Sequence, residues 1–520
     1  MSILFDNIKK FADKHPEKLA LRGSSARSIG TVELSYSQLW EEVNLIKQQI
    51  IDKQVQCIAL RAENSIDWIM IDLASLLANV VLIPIPMFFS HLQVQHILDT
   101  ANIDLLIGDW TNFTSKEPIK FAFLDSYKLD NKSIENKNIE NKDIENKETV
   151  NKNKTLSVFP KTAKITFTSG STGTPKGVCL SAEHLENVTQ SLVNTINDIE
   201  NKPQRHLILL PLSTLLENIS GVYVPLQLGL CSVIFSGKAV GLSGSSHFDA
   251  LTFCKILQQE VPQSLVLTPM LLQVLIQIGS KQPLLIESLK FVAVGGARVS
   301  PIIMEQAASL GIPAFEGYGL SECGSVVSLN SPLNNKFGSS GKPLPHCKVT
   351  IENDGEILVT GSSMLCYLGQ QASKDTISTG DIGFLDEDGY LHITGRKSNL
   401  LITSYGRNIS PEWIESEAQS YPELQGIVIM GDGQPALTAV VPELGHALES
   451  KINAIKKLNS MLPDYAHIGA LLSIPTFNNN NHLMTSNGRP IRSHFNQTFN
   501  PIIQDSVTSP DSVNLVLIKE

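Results

Sequence analysis

The segment Thr166-Phe167-Thr168-Ser169-Gly170-Ser171-Thr172-Gly173-Thr174-Pro175-Lys176-Gly177 carries the strongest chemical signal in the chain. Glycines let a backbone fold so that successive N–H groups point at one anion. The hydroxyls of Thr168, Ser169, Ser171, Thr172 and Thr174, with the Lys176 ammonium, add donors suited to phosphate oxygens. This is not a Walker A loop, which needs Gly before the Lys and Ser or Thr after it; Pro175 and Gly177 stand there instead. A plain Ser/Gly surface turn would not ordinarily end in Pro-Lys-Gly straight after a buried apolar run. The sequence contains no H-E-x-x-H, no G-x-S-x-G and no spaced Cys/His cluster. Its scattered histidines His184, His206, His346, His392 and His467 read as structural or exposed.

The elements that must hold such a loop follow from periodicity. Before it, residues 55–61 and 80–83 read as strands, and 65–78 and 92–101 as helices. Leading into it and beyond it, residues 163–168, 207–210, 232–235, 265–268 and 291–294 are short apolar runs separated by helical stretches such as 271–278. This rhythm implies βα units around buried, largely parallel sheets. From about residue 336 the texture turns to glycine-punctuated alternating strands (348–353, 356–361, 389–394), a β-rich and partly antiparallel region. A smaller α+β region follows Arg396, with strands near 426–431 and 436–441. Residues 131–154 repeat a five-residue unit, NKSIE-NKNIE-NKDIE-NKETV-NKNK. That period fits neither helix nor strand, so the segment reads as a low-complexity surface loop, with a partner-binding segment as the alternative.

Composition bounds the answer. At about 150 residues per domain, 520 residues suggest roughly three structural units. With 42% hydrophobic and 18% charged residues the chain can bury a core. A net charge of -10 argues against nucleic acid as the main partner. Cys57, Cys179, Cys231, Cys254, Cys323, Cys347 and Cys366 are widely spaced with no C-x-x-C pair, which points to a reducing, cytoplasmic setting. The N-terminal residues lack an apolar signal region. The greasiest stretch, residues 68–86, is interrupted by Asp72 and Asn79 and closed by Pro84 and Pro86, so no transmembrane segment is expected.

The loop resembles the phosphate loop of the adenylate-forming superfamily: acyl-CoA synthetases, adenylation domains of peptide synthetases and beetle luciferases. Further motifs recur in that superfamily's order. Gly295-Gly296-Ala297 resembles its adenine-flanking turn, and Gly317-Tyr318-Gly319-Leu320-Ser321-Glu322 its G-Y-G-x-[TS]-E motif. Ser378-Thr379-Gly380-Asp381 resembles its ribose-binding S-T-G-D, and Gly395-Arg396-Lys397 its hinge. The resemblance implies that Tyr318 stacks on adenine, that Asp381 accepts from the ribose hydroxyls with Arg396 nearby, and that Glu322 is a magnesium ligand. It also implies an α/β fold with a β-rich subdomain. A large N-terminal domain, 1–395, would combine βα-sheet subdomains with a distorted β-barrel; a small mobile α+β domain, 396–520, would follow a hinge at Lys397 and Ser398.

The post-hinge segment around Gly406 resembles the border of the superfamily's thiol channel. Gly488-Arg489-Pro490-Ile491-Arg492 resembles its G-K-[IV]-x-R element, with Arg489 where a catalytic lysine usually stands. Arginine keeps the positive charge, so an electrostatic role survives the replacement. Residues 211–218 resemble the loop beside the acyl pocket of long-chain acyl-CoA synthetases, with Thr214 where His or an aromatic is common. The adjoining residues 221–230 could line an apolar tunnel or form a buried core helix. The expected function is ATP- and magnesium-dependent ligation of a carboxylic acid, fatty or otherwise apolar. It would proceed through an acyl-adenylate to a thioester with coenzyme A, or alternatively with an acyl-carrier protein. A non-catalytic nucleotide-binding relative is the remaining alternative.

Overall fold

A computed structural model describes residues 2–114, 119–121, 124–128, 160–168, 175–243, 247–404, 408–434, 436–475, 483–485, 489–508 and 515–518. The repeat at 131–154 lies outside the described residues. The chain divides into two compact units: Met1–Asn194 with Gln204–Gly244 and Ser363–Lys374, and Thr195–Pro203 with Ser245–Ser362 and Asp375–Glu520.

In the first unit, the strands Thr162–Thr168, Val81–Pro84, Cys57–Arg61 and Leu105–Gly108 run parallel as neighbours in a sheet whose outer strands are antiparallel. The parallel strands Arg205–Ile208, Cys231–Ile234 and Leu19–Ser25 form a second set, edged by the antiparallel Ser28–Ser35. Two kinds of helix pack here. Tyr36–Asp52 is amphipathic: Leu39, Val43, Ile46 and Ile50 share one face, and Ser35 with Gln38 closes a capping box. Ile66–Leu77 is buried along almost its whole length, Asp67 and Asp72 included. The apolar stretch at 68–86 is therefore a buried helix leading into the strand Val81–Pro84. Among the described residues no helix is long and apolar enough to cross a membrane.

In the second unit the strands Ser264–Leu267, Phe291–Val294 and Ala314–Tyr318 pair in parallel. Lys348–Ile351, Glu356–Thr360, Thr376–Leu385 and Leu391–Arg396 form an antiparallel sheet. The last part of the chain builds a mixed sheet of Val428–Met430, Leu437–Pro442, Ile468–Ile474 and Leu515–Leu517. On it lie two apolar clusters, one centred on Ile414, Ile455 and Leu471, the other on Phe495 and Phe499.

A buried ionic network ties four elements of the first unit together. The Lys164 ammonium donates to Asp72 Oδ1 at 2.7 Å, to Tyr223 Oη at 2.7 Å and to Asn218 Oδ1. Asp72 Oδ2 accepts from Asn218 at 2.8 Å and Tyr223 at 2.7 Å. All three ammonium protons and both carboxylate oxygens are used, which is what a fully buried charge pair requires. Burial pulls the Lys164 ammonium below the ordinary lysine value, and Asp72 opposes it. Lys164→Met should cost about 3–5 kcal/mol in denaturant unfolding, because it strands the Asp72 charge, and adding Asp72→Leu should recover part of that. A single variant as stable as wild type would show that this pair does not hold the face together.

Candidate active site

The strand Thr162–Thr168 pairs antiparallel with Lys176–Ser181, Thr168 facing Lys176, so the glycine-rich segment is a hairpin connection closed by those two residues. Ser169, Gly170, Ser171, Thr172 and Gly173 lie outside the described residues. Lys176 is exposed, its ammonium 5.5 Å from the centre of the Tyr367 ring. Gly177 fits a tight gap: a Cβ there would lie 3.0 Å from Ile165 and Phe167 side-chain atoms.

In the second unit the remaining motifs converge on Asp381. Opposite Ile357 the strand Thr376–Leu385 bulges, with three residues facing one. The Thr379 hydroxyl bridges the bulge, donating to the Ile357 carbonyl at 2.8 Å and accepting from the Asp381 amide at 3.0 Å. Gly380 takes φ +71°, which the bulge needs and a side chain would resist. Asp381 Oδ2 accepts from the Tyr318 hydroxyl at 2.7 Å and Oδ1 from Arg396 Nε at 2.7 Å. A carboxylate has about four acceptor positions, so Asp381 keeps capacity for further donors. Burial, then Asp381, pushes the Tyr318 phenol well above its ordinary value, so it stays a donor.

The turn after Phe291–Val294 lies in the same unit. The Gly295 amide donates to Leu267 at 3.0 Å, Gly296 sits at φ +86°, and its carbonyl accepts from Arg489 Nη2. The Arg489 guanidinium interacts electrostatically with Arg396 and Asp381, and Arg396 in turn with Glu322. Glu322 stands half-buried on the short turn Ser321–Cys323. Gly319 is obligatory, since a Cβ there would lie 1.7 Å from the Ser325 carbonyl oxygen.

A family model for AMP-binding enzymes matches residues 8–369. The chain belongs to the AMP-binding enzyme family. A second model, for the AMP-binding enzyme C-terminal domain, matches residues 398–509. The chain is 30% identical over 282 residues to a 2-succinylbenzoate–CoA ligase of Listeria monocytogenes, 52% of this chain and 56% of that protein. It is 34% identical over 154 residues to the long-chain-fatty-acid–CoA ligase FadD15 of Mycobacterium bovis, 28% of this chain and 26% of that one. The chain thus spans about half or less of the length of these curated relatives. Among solved structures, the o-succinylbenzoate CoA synthetase of Bacillus subtilis superposes with a TM-score of 0.71 at 19% identity, covering 94% of this chain and 97% of the other. The anthranilate CoA ligase AuaEII gives 0.75 at 16%, covering 95% and 96%. At such identities the likeness is one of fold, a mixed α/β architecture with a large N-terminal and a smaller C-terminal domain.

In this AMP-binding enzyme the two residues expected at the hinge differ in how they are held. Lys397 pairs with Asp354 at 2.6 Å and Glu356 at 2.9 Å, while Ser398, on the short turn Lys397–Asn399, is exposed and donates to its neighbour Asn399 at 3.1 Å. Gly406 lies outside the described residues. Residues 221–227 pack as buried core: a Cβ on Gly221 would lie 2.6 Å from Glu217 Oε1 and 3.2 Å from His206 Nε2. Of the two readings of that stretch, the core helix is the one found.

Sequence patterns did not single out Glu316, Arg298 or Glu417, because an isolated charged residue reads as solvated surface. Glu316 directly precedes Gly317 and is buried. Burial pushes its carboxyl from 4.5 up to about 8, opposed by Arg298, the Val299 amide and the Ser340 hydroxyl. The folded form therefore holds a proton that the unfolded chain releases near its ordinary value. Stability contributed by the neutral acid is present at low pH and lost as pH rises through that window. Glu316→Gln should shrink the fall in melting temperature between about pH 5 and pH 8. An unchanged pH profile would mean that Glu316 is already ionised in the fold.

Proposed function

We propose that the protein is an ATP-dependent acid–thiol ligase that forms an acyl-adenylate and then a thioester, with coenzyme A as the thiol. The observation that carries this reading is the gathering of Tyr318, Asp381, Arg396, Gly296 and Arg489 in one unit. Asp381, with spare acceptor positions, suits the ribose hydroxyls; the Tyr318 ring suits the adenine face. The exposed Lys176 and the donors of residues 168–174 suit a polyphosphate.

In the first half-reaction a carboxylate oxygen bonds to the α-phosphorus and the bond to pyrophosphate breaks. Two anions must meet, so the chain's task is positioning and charge neutralisation. Arg489 supplies a fixed positive charge for both. Magnesium would neutralise polyphosphate charge, with Glu322 as its carboxylate ligand. A single carboxylate fits an ion that takes its other oxygens from phosphate and water, and among the described residues no group of three or more His, Cys, Asp or Glu could hold a metal alone. For the second half-reaction, the domain from 396 onward turns about Lys397 and Ser398. That motion withdraws Arg489 and brings Gly406 to the thiol.

The acid is an apolar one. One relative is named as a long-chain fatty-acid ligase, which supports this; another is named as a ligase of 2-succinylbenzoate, an aromatic acid with a second carboxylate. An acyl-carrier protein is the second reading for the thiol acceptor. The expected location is the cytoplasm, from the cysteine usage.

Pyrophosphate exchange with a panel of aryl and fatty acids tests the reading. ATP binding without exchange for every acid would favour a non-catalytic relative instead. With an active acid, Arg489→Lys should keep substantial exchange, and Arg489→Ala should lose on the order of 10²–10³-fold. Alanine exchanging like wild type would remove Arg489 from the mechanism. Glu322→Gln should fold normally yet need more magnesium for the same exchange rate; an unchanged requirement would show that Glu322 is no ligand.

A further inference from the structure

The turn of residues 295–300 is engaged twice by the last part of the chain. Arg489 donates to the Gly296 carbonyl. At the other end of the turn, the Ser300 hydroxyl donates to Glu417 Oε2 at 3.1 Å, and Arg298 Nη2 lies 3.8 Å from Glu417 Oε1. Ser300 is the N-cap of the helix Pro301–Ser309 yet makes no side-chain cap hydrogen bond. A serine at that position ordinarily serves its own helix's amides. Here its hydroxyl serves Glu417.

Glu417 belongs to the helix Pro411–Ala418, and that helix reaches Arg489 by another path. Glu415 Oε2 accepts from Arg492 Nη2 at 2.6 Å, and Glu412 Oε1 lies 3.6 Å from the same nitrogen. Arg492 Nη1 also donates to the Ile429 carbonyl at 2.9 Å. Arg492 begins the helix Arg492–Thr508, three residues after Arg489. The intervening chain is held too, since the Arg489 amide donates to Thr485 Oγ1 at 3.0 Å and the Ile491 amide to Leu483 at 2.8 Å. Just past the Pro411–Ala418 helix, the Gln419 carbonyl accepts from Gln273 Nε2 at 3.0 Å. The contacts close a ring: turn, Glu417, helix, Glu415, Arg492, Arg489, and back to the turn at Gly296.

We propose that Glu417 is a positioning residue for Arg489: it docks the helix Pro411–Ala418 on the 295–300 turn, and Arg492, held by Glu415 on that helix, carries Arg489 to Gly296. The proposal rests on the ligase reading above for its kinetic consequence but not for its geometry. Reacting groups misplaced by about 1 Å can lose two orders of magnitude in rate, so a docking contact remote from the chemistry matters to the step that uses Arg489. It does not matter to a step from which Arg489 has been withdrawn. The result is a split between half-reactions, which a merely structural residue would not give.

The experiment compares wild type, Glu417→Gln and Ser300→Ala in pyrophosphate exchange and in single-turnover thioester formation from supplied acyl-adenylate. Each of these two turn-side changes should slow exchange about tenfold, the scale of one hydrogen bond to a charged group, and leave thioester formation at the wild-type rate. Equal loss in both steps, or full exchange activity in both variants, overturns the proposal. Arg492→Met removes a cation that holds Glu415, Glu412 and the Ile429 carbonyl at once and risks unfolding, so the two turn-side variants decide. Hydrogen–deuterium exchange supplies a readout independent of activity. Amides of residues 295–300 and 489–492 should exchange faster in Glu417→Gln than in wild type, and unchanged protection overturns the docking role. If wild type exchanges pyrophosphate with no acid, the ligase reading fails, and the amide measurement alone supports or overturns the ring.

Discussion

The carboxylate of Asp381 is the constraint on which the second unit's candidate site depends. Three strands deliver the participants: Thr376–Leu385 brings Asp381, Ala314–Tyr318 brings the phenol, and Leu391–Arg396 brings the guanidinium. Strand pairing places Asp381 opposite Arg396, so the charge pair is fixed by sheet register and not by loop conformation. A carboxylate this buried would be costly without partners. With them it is a preorganised acceptor, and the bulge bridged by Thr379 keeps it from sliding back into the regular ladder. Attraction and repulsion meet in the cluster: Glu322 and Asp381 favour the Arg396 charge, while Arg396 and Arg489 repel one another. An added anion would relieve the repulsion between the two guanidinium groups, which is the electrostatic logic of a nucleotide site.

Much of this was legible in the sequence, for a reason that the geometry explains. The motif glycines stand where backbones leave no choice: Gly319 against the Ser325 carbonyl, Gly380 in the left-handed region at the bulge, Gly177 between Ile165 and Phe167. Such positions cannot drift, so they read as fixed patterns. The short apolar runs likewise became strands within a few residues of their expected ends, Phe291–Val294 without any shift. The hairpin Leu19–Ser35 escaped notice because most of its second strand is exposed and its apolar alternation is confined to Val32 and Leu34. Buried polar pairs escaped for a different reason. Asp72 reads in the sequence as an interruption of an apolar stretch, and its partner Lys164 is 92 positions away. No local pattern announces a contact of that separation.

That network bears on how the helical segment at residues 215–223 is built. Glu217 and Asn218 are consecutive, yet each joins a different buried cluster: Glu217 lies 3.3 Å from His206, and Asn218 joins Lys164 and Asp72. Burial pushes the Glu217 carboxyl upward, and the His206 contact opposes it. A helix gripped on two sides by polar pairs has a strongly specified orientation, because a small rotation would leave charged groups unsatisfied. The turn of π-helix at Ile219–Tyr223 follows directly, bringing the Tyr223 hydroxyl to Asp72. Here polarity fixes a unique packing where apolar residues alone would tolerate several.

Arginine at position 489 fits this setting better than a simple exchange of one cation for another suggests. A lysine ammonium is a compact point charge, and a hydrogen bond to a backbone carbonyl would draw it toward that single acceptor. A guanidinium carries five N–H donors in a fixed plane, so one nitrogen can rest on the Gly296 carbonyl while others remain free to face an anion. The carbonyl then acts as a guide for the fork, and the ring of contacts through Glu417 and Arg492 sets how closely the fork approaches. The larger head has a cost, since it must be placed accurately to present its remaining donors. That requirement accounts for why the Arg489 segment is held at both Thr485 and Leu483 and braced from Glu415: a rigid, forked cation needs more support than a flexible one.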